Sequence, residues 1–201
     1  MTGEIIPQQE TGKSQPPFGL SRWVDIFGRG APLMIEPSKL KAIASLYEDE
    51  NTKFRLFLKN RAASDELDRQ FAALHKELFA DYDCCQCHNC CERYSVELSD
   101  EDAERIATFL GLSKVAFVQE YAENSGDGFE IKPPCPFLEP DGKCWVQPCK
   151  PNECRGYPYT DQPDRIASLY GVMEFAEVCP VVFEIVQHLK EIYRFRSRVR
   201  R

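Results

Sequence analysis

Histidine is scarce in this 201-residue chain: His75, His88 and His188 are the only three. Imidazole can therefore supply little of any metal shell. No stretch approaches the roughly 18–20 consecutive apolar residues of a membrane span. The start, Met1-Thr2-Gly3-Glu4, has neither the basic opening nor the apolar run of a secretory leader, so the expected location is cytoplasmic. There is no phosphate-binding loop, no glycine-rich dinucleotide fingerprint, no GxSxG elbow and no internal repeat. Positive charge is also in deficit. The formal net charge of −7 argues against a general nucleic-acid binder, and ionised cysteines would make the chain more negative still.

What is present is enough for a core. Apolar residues make up 43% of the chain and charged residues 28%, which suits one domain with a helical extension or tail. Residues 1–35 mix Gln, Gly, Pro and Ser and read as a flexible segment, with Trp23-Val24 and Ile26-Phe27 a small patch able to dock on the body. Residues 36–83 read as a helical extension. Leu40, Ile43, Ala44 and Tyr47, then Phe54, Phe57 and Leu58, then Leu67, Phe71, Leu74 and Leu78 recur at helical spacing, and Asn51 and Thr52 are candidate caps between two helices. This stripe reads as core, with a protein-partner face as the alternative.

Ser99 ahead of Asp100-Glu101-Asp102 is a capping pattern with acids at the positive helix end, and Gly111 closes that helix. Ser113 caps a shorter one. Asn124 to Gly128 reads as a turn, Phe129-Glu130-Ile131-Lys132 as a short strand, and Ile166 to Val172 as another. Pro180 opens an amphipathic helix through Tyr193, within a last segment, 181–201, that ends in Arg194, Arg196, Arg198, Arg200 and Arg201. The expected fold class is mostly α, with irregular loops and one or two short strands.

Against this background the chain holds ten cysteines, five of them within residues 84–91. Reducing cytosol disfavours a disulfide framework, and the adjacent pairs Cys84–Cys85 and Cys90–Cys91 are awkward to bridge. Crowded thiolates converging on a metal explain the pattern better. In Cys84-x-x-Cys87-x-x-Cys90-Cys91 each two-residue step lets two thiolates curl toward one centre. Residues 133–163 add eight prolines and four cysteines with little periodicity, a loop that needs something to tie it down. There Asp141-Gly142 is a turn signal that would fold Cys144 back toward Cys135. Cys179 precedes Pro180 at a helix start, where a thiolate is favoured.

Together these motifs resemble the CxxCxxCC, or YkgJ-like, family of zinc- or iron-chelating proteins over residues 84–180, taken as a cysteine-cluster metal-binding domain. The resemblance runs through the cluster itself, Leu98-Ser99-Asp100-Glu101-Asp102, Cys135-Pro136-Phe137-Leu138 with Gly142-Lys143-Cys144, and Lys150-Pro151-Asn152-Glu153-Cys154-Arg155-Gly156-Tyr157-Pro158-Tyr159, where Lys150 stands for the usual Arg. It implies Cys84, Cys87, Cys90, Cys91, Cys135, Cys144, Cys154 and Cys179 as metal ligands. Cys85 and Cys149 fall outside the pattern, and His88 sits inside the motif as a candidate ligand or neighbour.

Eight thiols exceed one tetrahedral site. They would serve two four-thiolate zinc sites, one iron–sulphur cluster with spares, or a zinc site beside a cluster. Iron, as a cluster, is the favoured metal and zinc the close alternative. Side chains of the neighbours Cys90 and Cys91 diverge, which suits two centres or two irons of one cluster. Arg155 and Arg105 are candidates to offset thiolate charge, and Tyr157, Pro158 and Tyr159 to cover the site. The expected role is metal-binding, accessory or redox. A more distant resemblance to flagellin lysine N-methylases keeps a methyl-transferring enzyme as an alternative, and a partner-binding module with structural zinc is a third.

Overall fold

A computed structural model describes residues 35–80 and 82–196. The Trp23–Phe27 patch, nearly all of the 1–35 segment, Asp81 and the arginines at 198, 200 and 201 lie outside the described residues. The chain is mostly α, and its described part is built around two hydrophobic cores.

The first core is helical. Helix α1 (Pro37–Arg61) and helix α2 (Ser64–Phe79) both pack against α8 (Arg165–Phe175) and α9 (Pro180–Ile192), which also meet each other. Leu40, Phe54, Leu58, Leu67 and Phe71 are fully buried, so the apolar stripe of α1 and α2 is core. Each such side chain contributes roughly 1.5–3 kcal/mol relative to exposure. Helix α1 runs unbroken through the expected caps Asn51 and Thr52, and Asn51 is buried within it. The break comes instead at Ala62 and Ala63, two extended residues with no side-chain cap. Helix α2 then begins with Asp65 and Glu66 in its first turn, where they favour the helix dipole and pair with Arg69.

The expected strand at Ile166–Val172 is also corrected: it lies inside helix α8. A short aliphatic run does not by itself distinguish helix from strand. What decides it is that Leu169, Val172 and Ala176 face one core at spacings of three and four. The last helix starts at Pro180 as expected, but residues 180–186 are buried all round. Its Lys190 is buried too, paired with Glu50 at 2.8 Å and seated 5.0 Å from the Tyr47 ring centroid.

The second core lies under a three-stranded antiparallel sheet in the order β1-β3-β2, from β1 (Val96–Leu98), β2 (Glu123–Ser125) and β3 (Gly128–Ile131). Helix α5 (Asp100–Leu110) and helix α6 (Lys114–Tyr121) pack with it. Ser99 accepts from the N–H of Asp102, Ser113 from that of Ala116, and Gly111 closes α5 with φ +71°, all as local chemistry predicts. Ile106, Phe117 and Phe137 fill the centre of this core.

Candidate metal centre

The cysteine motif folds as two short helical turns. Helix α3 (Cys84–Cys87) is capped by Asp83, whose carboxylate accepts from the N–H of Cys85 at 2.9 Å. Helix α4 (Asn89–Arg93) follows after His88, which takes a left-handed conformation at φ 37°. That reversal re-aims the chain between the two cysteine pairs. The His88 ring meets Glu92 through Nδ1 at 2.9 Å.

Other segments are then pinned to this motif. The buried Asn89 donates from Nδ2 to Pro37 O at 3.0 Å and Val178 O at 3.2 Å, which fixes the segment carrying Cys179. Cys135 N–H donates to Cys91 O at 2.7 Å, which fixes the loop on the other side. Within that loop Leu138 and Cys144 form a β-bridge, and the turn at Asp141-Gly142 returns Cys144 toward Cys135 as the sequence predicts. Gly142, at φ +85°, lies so close to the motif that a Cβ there would stand 2.2 Å from Cys85 O. Helix α7 (Asn152–Gly156) presents Cys154. It is anchored by the Glu153 carboxylate, which accepts from Tyr94 Oη at 2.9 Å and from the N–H of Glu97.

The outcome is two cavities. The larger, about 60 Å³, is lined by Cys90, Cys91, Cys135, Cys144 and Cys154 together with Tyr94, Lys150, Glu153 and apolar side chains. The smaller, about 30 Å³, is lined by Cys84, Cys87, Cys90 and Cys179 with Tyr82, His88 and Pro158. Tyr157 lines both, and Cys90 stands on the wall between them. All eight cysteines named from the sequence thus border one cavity or the other. Cys149 is buried in the second core, and Cys85 is exposed outside both.

Burial favours the neutral thiol at five of these positions. Burial pushes Cys135 up to about 11 and Cys154 and Cys179 up to about 12, and raises Cys84 and Cys144 as well. At Cys179 the N–H groups of Val182 and Val181 favour the thiolate, as a helix start should, but burial outweighs them. Cys90 and Cys91 behave as a pair sharing one proton. The Cys90 thiol donates to Cys91, lowering Cys91 and raising Cys90.

Among the described residues no three His, Cys, Asp or Glu side chains are grouped so that they could hold a metal ion. The donor chemistry nevertheless fits a thiophilic centre. Eight sulphurs converge on two cavities, and the buried hydroxyls of Tyr82 and Tyr157 meet no oxygen or nitrogen partner while lining the thiol cavities. A thiolate sulphur is an acceptor such hydroxyls can use, and Tyr82 already meets Cys87.

One comparison with known proteins finds a family resemblance. Residues 83–180, just under half of the chain, match the family model CxxCxxCC, described as "Putative zinc- or iron-chelating domain". Over these residues the chain is similar to the CxxCxxCC family. No curated protein and no solved structure matches the chain, and nothing in the comparisons supports the flagellin lysine N-methylase resemblance.

In this CxxCxxCC domain two sequence expectations about charge change. Arg105 and Arg155 both donate to Lys150 O, at 3.2 and 2.8 Å, and the thiol on which their charge acts is Cys149. The cation facing the cavity thiols is Lys150, which favours the thiolates of Cys84, Cys91, Cys144 and Cys154. Of the expected cover, Tyr157 and Pro158 line the cavities, whereas Tyr159 turns its hydroxyl to Glu153 O at 2.9 Å. Lys150 and Asn89 are the residues that sequence reasoning missed. Their only signals are the lysine in a position where the family pattern has arginine and an asparagine inside the motif. No described helix is long and apolar enough to cross a membrane.

Proposed function

We propose that the chain is a metal-carrying protein whose CxxCxxCC domain holds two centres. One is ligated by Cys84, Cys87, Cys90 and Cys179, the other by Cys91, Cys135, Cys144 and Cys154. The observation that carries this reading is the division of the eight thiols between two cavities with Cys90 on the shared wall. Each set has the four thiolates that a zinc site or an iron–sulphur cluster needs.

Iron–sulphur clusters are the favoured guests. A single ion held by four sulphurs at about 2.3 Å leaves no room for a water-sized body between them. Both cavities admit one. Cavities larger than a bare ion needs support a polynuclear guest in an accessory or redox role.

The test is anaerobic purification followed by iron, zinc and sulphide analysis and an ultraviolet–visible spectrum. Two sets predict that Cys179→Ser and Cys135→Ser each remove one centre and keep the other, and that the double variant removes both. A single centre lost equally in both variants would overturn the two-set reading. Stoichiometric zinc in a colourless protein would replace the clusters with zinc and leave the two sets standing.

A further inference from the structure

We infer that Lys150 is the charge-balancing residue of the Cys91/Cys135/Cys144/Cys154 set, and that its ammonium governs how tightly this set holds its guest. The inference rests on the two-set reading above. Lys150 lines the larger cavity, and no carboxylate among the described residues forms an ion pair with it. The one carboxylate that shares the cavity wall, Glu153, is taken up by Tyr94 Oη and the Glu97 N–H. The groups on that wall able to become its counter-charges are the sulphurs of Cys91, Cys135, Cys144 and Cys154.

The backbone fixes where this side chain starts. Lys150 O accepts from Arg155 Nε at 2.8 Å and from Arg105 Nη2 at 3.2 Å, the buried Cys149 precedes it, and Pro151 follows. Two guanidinium groups that could have neutralised thiolates are thus used to hold the main chain from which the lysine projects.

Four thiolates around a doubly charged ion or cluster core leave two negative charges in a half-buried site. One ammonium halves that excess. If the guest accepts an electron, the excess grows and the lysine matters more, so it favours the reduced form.

The test uses the full-length loaded protein. Lys150→Gln and Lys150→Met, which remove the charge, should raise the dissociation constant of one centre about tenfold in chelator competition. Lys150→Arg should hold it within about twofold of the original chain, and Lys143→Gln, at an exposed lysine paired with Asp141, should do nothing. With an iron–sulphur guest, both neutral variants should also lower the reduction potential of that centre. Circular dichroism and melting of the metal-free variants should be unchanged, which separates charge from folding. Unchanged affinity in both neutral variants, or an arginine variant as weak as the glutamine one, would overturn the inference. Absence of any thiolate-bound metal in the original chain would instead show that the two-set reading has failed.

Discussion

Replacing Gly142 with alanine isolates the packing that joins the 135–144 loop to the cysteine motif. Gly111 supplies the comparison. Both glycines are left-handed, at φ +85° and +71°, so each alanine meets the same conformational penalty of roughly 1–2 kcal/mol. At Gly111 a Cβ would meet nothing within 4 Å. At Gly142 it would stand 2.2 Å from Cys85 O, short of the 3.0 Å that real contacts respect by 0.8 Å. That carbonyl belongs to α3, whose N-terminus is capped by Asp83, so the loop must give way. Overpacking of this kind costs about 1–3 kcal/mol more, giving about 2–5 kcal/mol for Gly142→Ala against about 1–2 for Gly111→Ala. The displaced loop carries Cys144, so the damage should reach the metal as well. Urea denaturation and metal analysis of the two variants are the assay. Gly142→Ala should lose the centre of the larger cavity and keep the other, and Gly111→Ala should keep both. Equal destabilisation of the two variants with full metal content in each would refute the reasoning.

A second expectation concerns pH. Burial pushes the Glu184 carboxyl up to about 7 from an ordinary 4.5, so the folded chain binds its proton more tightly than the unfolded one. Its contribution is fully present below about pH 4.5 and is lost as pH rises through 7, by on the order of 3 kcal/mol. Glu184→Gln should therefore match the original chain near pH 4.5 and exceed it in denaturant stability at pH 8; equal stabilities at pH 8 would sink the idea. Chelation should loosen residues 84–160, seen as lost protection in amide exchange and a lower melting temperature, because binding free energy is folding free energy in such sites. An unchanged melting profile after metal removal would contradict this. Tyr157→Phe removes a hydroxyl with no oxygen or nitrogen partner, so the metal-free protein should melt within about 0.5 kcal/mol of the original. The loaded protein should release its metal faster, and an unchanged release rate would dismiss the hydroxyl as a donor to sulphur.

The parts of this molecule that were legible in the sequence are the ones decided locally. Ser99, Ser113, Gly111 and Pro180 mark helix ends because each acts on backbone groups within a few residues of itself. Asp141-Gly142 announces its turn for the same reason. The break at Ala62 and Ala63 carries no such mark, and Asn51 looked like a cap although it is buried in a continuous helix. Helix α8 was misread because its short apolar run fits two periods, and only the core behind Leu169 and Val172 chooses between them. The cysteines could be named from spacing and resemblance, but their division between two cavities could not. It depends on Asn89 reaching Val178 and on Cys135 pairing with Cys91, contacts between segments far apart in the chain. Lys150 was hidden for the same reason, since the thiols that share its cavity come from three separate segments of the chain.

A single peptide bond joins Cys90, on the wall of both cavities, to Cys91, in the larger one. Whatever immobilises one of these sulphurs also sets backbone torsions that its neighbour must use. Sites on separate domains would fill as independent events. With two guests bound as proposed, the second would meet a site already half assembled by the first, so in the original chain occupancy should climb cooperatively, with singly loaded molecules rare at intermediate metal supply.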